Sequence, residues 1–192
     1  MMLRRKLLAA ALALAATSVV AAPPLPGDSI YQLPLRLTDQ DGAAVPLAQG
    51  QGHLVLATMF YTSCQVVCPM LIDALRETQA ALPAADRSRL SVLMVSFDPA
   101  RDTPQVLQRT FDERHLERAT WTLARTDPAG TRKLAALLGI RYRQLADGDF
   151  NHTSVLVLLD AQGRVIGRSS RLGSADPAFV RLIQEALRAE PH

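Results

Sequence analysis

Cysteine is scarce in this 192-residue chain: Cys64 and Cys68 are the only two. A pair four positions apart closes too short a loop to staple a domain, so a disulfide-framed scaffold is excluded. The value of the two thiols is chemical rather than architectural. Aromatic residues are few as well, at 5%. The arginines lie scattered among acidic residues instead of clustering, which excludes a nucleic-acid face built from basic charge and stacking rings. Neither sign of charge is in excess. The formal net charge is +3, and Arg4, Arg5 and Lys6 at the start supply three positives, leaving the rest near neutral. No internal repeat or low-complexity block divides the chain, and no uninterrupted apolar run reaches the ~20 residues of a bilayer crossing.

What is present begins with a basic cluster followed by an apolar stretch, Leu7 to Val20, broken by Thr17 and Ser18 and ending in small residues. This is the pattern of a secretory signal, with a cut after Ala21, or of an uncleaved N-terminal tether; residues 1–22 are assigned to it. Residues 23–192 are long and apolar enough for a single domain with its own core. Export places the thiols where they oxidise unless something reduces or ligates them.

Hydrophobic patterning predicts an α/β domain. The segment YQLPLRLTDQDGAAVPLA reads as a hairpin turning at Asp39 to Gly42, and the apolar runs at 53–61 and 90–97 read as buried strands. Between them a helix is predicted from Pro69, burying Met70, Leu71, Ala74, Leu75 and Leu82. Thr103-Pro104, Asp127-Pro128 and Asp176-Pro177 each place a capping side chain before a first-turn proline and should open three further helices. Their expected buried faces are Val106, Leu107 and Phe111, then Leu134, Leu137 and Leu138, then Phe179, Val180, Ile183 and Leu187. Segments 154–160 and 164–169 flank Ala161-Gln162-Gly163 as a second hairpin. A strand–helix–strand unit calls for parallel pairing with a right-handed crossover, and the closing ββα adds an antiparallel edge. This is a thioredoxin-like architecture with an added N-terminal β-hairpin and a helix–strand insertion, and it puts Cys64 and Cys68 in the loop after the first core strand.

Four positions span roughly 13 Å in extended chain and about 6 Å on a helical turn. The turn therefore allows a disulfide or convergence of both sulfurs on one small ion. A helix N-terminus lowers the pKa of a nearby thiol, and thiolate serves either outcome. Soft thiolates favour Cu(I), and a neutral imidazole is the electrostatically easy third ligand. Of four histidines, His192 is terminal, His115 lies in a charged stretch that reads as a solvated face, and His53 begins a strand at the end away from the cysteines. His152, in the loop GDFNHT, lies where the architecture can bring it to them; a lone loop histidine is otherwise an exposed side chain. Met59, Met70 and Met94 read as core filler rather than ligands. Asp98 and Asp102 read as structural, bonding the turn through Pro99 and pairing with Arg101.

FYTSCQVVCP, VSFDPARDTP and DFNHTSVLVLLDAQGRV together, in this order and spacing, resemble the Sco/SenC family of copper chaperones over nearly the whole chain beyond the leader. The resemblance implies a thioredoxin fold, a periplasmic or membrane-associated setting, and one copper ion per chain, as Cu(I) or Cu(II), held by Cys64, Cys68 and His152. It implies delivery of copper to the dinuclear centre of cytochrome c oxidase subunit II or another cuproprotein, or reduction of that subunit's cysteines. A copper donor, a thiol reductant and a monomeric state go with it. Gln65, Val66 and Val67 replace the proline and acid common between the cysteines, and Phe150 and Asn151 replace a valine–acid pair, with Asp149 as a substitute carboxylate.

The competing expectation is a thiol–disulfide oxidoreductase using the Cys64/Cys68 pair, although the usual redox motif has one residue fewer between its cysteines. A peroxidase is disfavoured because Thr62 precedes Cys64 by two positions where that pattern wants three.

Overall fold

The computed structural model describes residues 24–189; the expected leader, 1–22, and His192 lie outside them. A seven-stranded sheet has the order β2-β1-β5-β4-β3-β8-β9, with β1 (Arg36–Asp39), β2 (Ala44–Pro46), β3 (Leu54–Phe60), β4 (Leu90–Ser96), β5 (Trp121–Arg125), β8 (Leu156–Leu159) and β9 (Val165–Ser169). β3, β4 and β5 run parallel, while β8 and the N-terminal hairpin β1–β2 pair antiparallel at either side. Every position of β3 is buried, which is why it reads as a continuous apolar run rather than an alternating one.

The three Xaa-Pro helix starts are borne out. α3 (Pro104–Glu113), α4 (Pro128–Leu137) and α5 (Pro177–Ala189) each begin at the proline, and Thr103, Asp127 and Asp176 accept from first-turn amides. α5 buries Phe179, Val180, Ile183 and Leu187 as expected. Elsewhere single positions differ. On α1 (Val67–Ala80) and around α4, Leu71, Ala74, Leu75, Leu82, Leu134 and Leu138 are buried as expected and Ile72 and Ala135 join them, whereas Met70 at 38% and Leu137 at 44% are exposed at the margins of their stripes. Val106 is only half-buried.

α1 starts at Val67, not Pro69, so Cys68 lies inside its first turn. Proline is tolerated anywhere in that turn, since none of the first amides has a helical acceptor. A short helix, α2 (Ala84–Arg87), leads into β4. The larger departure is a second, two-stranded sheet, β6 (Tyr142–Gln144) with β7 (Phe150–His152), where a loop was expected. Gly148, with φ +88°, makes its turn, and the Asp147-Gly148 dipeptide is the sequence signal that marks it. Met59 and Met94 are fully buried, as expected of core residues.

Candidate metal centre

β3 and β4 end side by side, with Phe97 N–H donating to the Phe60 carbonyl at 2.9 Å, so the segments that follow them share the carboxyl edge of the sheet. Cys64 stands on the first of these segments, Cys68 in the first turn of α1, and His152 at the end of β7. The two sulfurs and one imidazole nitrogen all lie within 4.8 Å of one another. All three expected residues are thus brought together from positions 64 to 152.

Local chemistry explains the pose. The N-cap residue of α1, Val66, has no side chain able to cap. The sulfur of Cys64 takes that place and accepts from the Cys68 amide at 3.3 Å. Burial works against the Cys64 thiolate, but the amides of Cys68, Val66 and Val67 and the Cys68 thiol outweigh it and bring its pKa below the ordinary value. Cys68, only 4% exposed, goes the other way: burial dominates and raises its pKa, and the neighbouring Cys64 charge adds to this. Of the two, Cys64 is the thiol that ionises first, with the amides at the start of α1 aimed at its sulfur.

Tyr61 closes the site from behind. Its pKa is raised to about 12, by burial first and then by the Cys64 charge, so its hydroxyl stays protonated and hydrogen-bonded to the Cys64 sulfur. Rings of Tyr61 and Phe97 contact the His152 ring, with centroids 5.9 and 4.9 Å away, and half-bury it. That burial lowers the His152 pKa, against a smaller opposing effect of its hydrogen bond to the Thr153 backbone, so the imidazole is neutral at pH 7. Nδ1 lies 3.4 Å from the Thr153 carbonyl and 3.4 Å from Ser154 Oγ. Such a bond on one ring nitrogen orients the other for ligation.

Asp98 pairs with Arg101 as expected. Asp102 does not: its carboxylate, 1% exposed, accepts from Ser96 Oγ and from the Thr62 hydroxyl and amide, tying the turn ahead of α3 to the residue two before Cys64. Pairing to donors at a separation of 40 residues has no local signature. Asp149 is exposed, in the hairpin turn. His53 lines a separate cavity with Tyr31 and Trp121, and His115 is exposed in a left-handed turn with φ 49°.

The unequal thiols have a measurable consequence. In the reduced protein, iodoacetamide is expected to alkylate Cys64 with a lower pH midpoint than Cys68, which stays unmodified until the fold opens. Peptide mass spectrometry over a pH series checks this; equal labelling of both would contradict the assigned asymmetry.

The SCO1/SenC family model matches residues 25–187. Among relatives, Protein SCO2, mitochondrial, of Saccharomyces cerevisiae is 30% identical over 82 residues, 43% of this chain and 27% of that protein. The SCO1 protein homolog of Bacillus subtilis is 29% identical over 76 residues, 40% of this chain and 39% of that one. The chain therefore spans well under half the length of these curated relatives. The structure of Bradyrhizobium japonicum ScoI with copper bound superposes with TM-score 0.62 at 24% identity, covering 82% of this chain and 98% of that one. A SCO1/SenC family lipoprotein from Bacillus anthracis gives 0.71 at 20% identity, covering 80% and 96%. These likenesses bear out the thioredoxin-like fold.

Proposed function

This chain belongs to the SCO1/SenC family, and from that premise we propose that it is a copper-binding metallochaperone using Cys64, Cys68 and His152. The observation that carries this is the donor set itself: two sulfurs and one neutral imidazole within 4.8 Å, with no carboxylate in the group. Three ligands around one ion with bonds of about 2.3 Å lie about 4 Å apart, so the side chains need move little. Zinc in a closed protein site takes four ligands, whereas soft thiolates with one imidazole suit Cu(I). The copper is cargo, delivered to the dinuclear centre of cytochrome c oxidase or another cuproprotein. Residues 1–22 serve as export signal or tether, placing the domain in the periplasm or on the outer face of the membrane; the family lipoprotein of B. anthracis fits that setting.

Anaerobic reduction followed by titration with Cu(I) against a chromophoric chelator tests the reading. One copper per reduced chain, and none on the chain oxidised to a Cys64–Cys68 disulfide, is the expected result; equal uptake by both would remove the thiols from the site.

The asymmetry of the thiols favours a second reading, dithiol exchange. The Cys64 thiolate attacks a substrate disulfide, and Cys68 then displaces the mixed disulfide, so that two thiols give up two electrons and two protons as the substrate disulfide is reduced. This same chemistry would prepare the cysteines of a copper acceptor.

A further inference from the structure

His152 rides on an element that the main sheet does not hold. The hairpin β6–β7 pairs with no strand of the seven-stranded sheet, and a two-stranded ribbon is marginal by itself. Ring contacts from Phe97 and Tyr61 press on it, but apolar contact alone sets no register along the hairpin. The Phe150 backbone also bonds the Tyr61 hydroxyl, beside the sulfurs, and the polar connection to the turn of the hairpin is Arg101. Its Nε donates to the Asp98 carboxylate, its Nη2 donates to the Gly148 carbonyl at the hairpin turn, and its Cζ lies 5.8 Å from the centroid of the Phe150 ring. The far end of this strap is fixed: Asp98 is 5% exposed, its amide donates to Ser96 Oγ at 2.9 Å, and its carbonyl accepts from the amides of Arg101 and Asp102. One planar guanidinium thus spans the turn after β4 and the tip of the ribbon whose other end carries the imidazole.

We propose that Arg101 is a positioning residue for the third ligand, clamping the β6–β7 hairpin through Gly148 and Phe150 so that His152 stays over the two sulfurs. The ligand role rests on the copper reading; the clamp itself does not. The fork geometry matters, because a lysine ammonium at this place can meet Asp98 or the Gly148 carbonyl but lacks the rigid spread of donors that holds both.

Two measurements separate the clamp from the reading beneath it. In the metal-free reduced protein, hydrogen–deuterium exchange of the amides between Tyr142 and His152 is expected to quicken about 5- to 10-fold in Arg101→Ala and in Arg101→Lys, while β3 and β4 amides keep their rates. An unchanged hairpin overturns the proposal. With copper, chelator competition is run on the parent chain, Arg101→Ala, His152→Ala and the double variant. Arg101→Ala is expected to weaken Cu(I) binding about 10-fold in the parent and to add nothing once His152 is gone. The same loss in both backgrounds overturns the proposal, since Arg101 would then act on the thiols or on the fold at large. A parent chain that holds no copper overturns the copper reading and the ligand role with it, whereas the exchange result still decides the clamp.

Discussion

Reduced protein carrying Cys64→Ser, Cys68→Ser or His152→Ala is expected to bind Cu(I) more than about 100-fold more weakly than the parent, because loss of a partner merely bonded to a ligand already costs 10- to 100-fold. Each substitution acts differently. Serine at 64 removes the thiolate as a soft donor atom but leaves a hydroxyl oxygen that can still accept from the Cys68 amide, so α1 keeps a cap. Serine at 68 removes a buried sulfur while leaving the helix start intact. Alanine at 152 leaves both sulfurs and removes only the imidazole. That last variant divides the two functional readings: metal retention should fall with it, while reduction of a disulfide substrate by the Cys64/Cys68 pair should largely survive. Chelator competition and a dithiol-exchange assay on one preparation measure both. Full copper retention by His152→Ala would remove the third ligand.

Asp102→Ala is expected to lower stability by about 3 kcal/mol, a drop of roughly 6–12 °C in Tm for a domain of this size, and to weaken copper binding without touching a ligand. Alanine leaves the Ser96 hydroxyl and the Thr62 hydroxyl and amide without their acceptor. Burial raises the Asp102 pKa, and the bonds from Ser96 and Thr62 only partly oppose this. A carboxyl with its folded pKa above the unfolded one contributes most stability at pH below the unfolded value and loses it as pH rises through the folded one. Asp102→Asn, which keeps one acceptor and cannot ionise, should therefore cost less than alanine, and its deficit relative to the parent should shrink as pH rises from 4 to 7. Thermal melts across that range check the sign; a deficit that widens would contradict it.

Much of this architecture was legible in the sequence. Strands β3 and β4 declare themselves because burial on both faces demands an unbroken apolar run, and the three capping-residue–proline pairs fix helix starts by purely local chemistry. The start of α1 was less legible because its cap is a sulfur, outside the usual set of Ser, Thr, Asp and Asn. β6 and β7 escaped because three-residue strands paired only with each other need no apolar face; Asp147-Gly148 was their single mark. Cys64, Cys68 and His152 could be named from residue type and order. The groups that shape them could not: Tyr61 looks like the end of a strand, and the tie from Asp102 to Thr62 exists only once the turn between β4 and α3 has folded against the cysteine segment.

The placement of His152 outboard of the main sheet bears on how a load would be set down. Two of the three donors stand at a helix start packed into the core, and the third stands on a ribbon that shares no backbone rung with the seven-strand ladder and is held by ring contacts and the Arg101 guanidinium. An incoming sulfur from a recipient protein could take the imidazole's place while both cysteines still grip, so the ion would pass by successive exchange and never be bare.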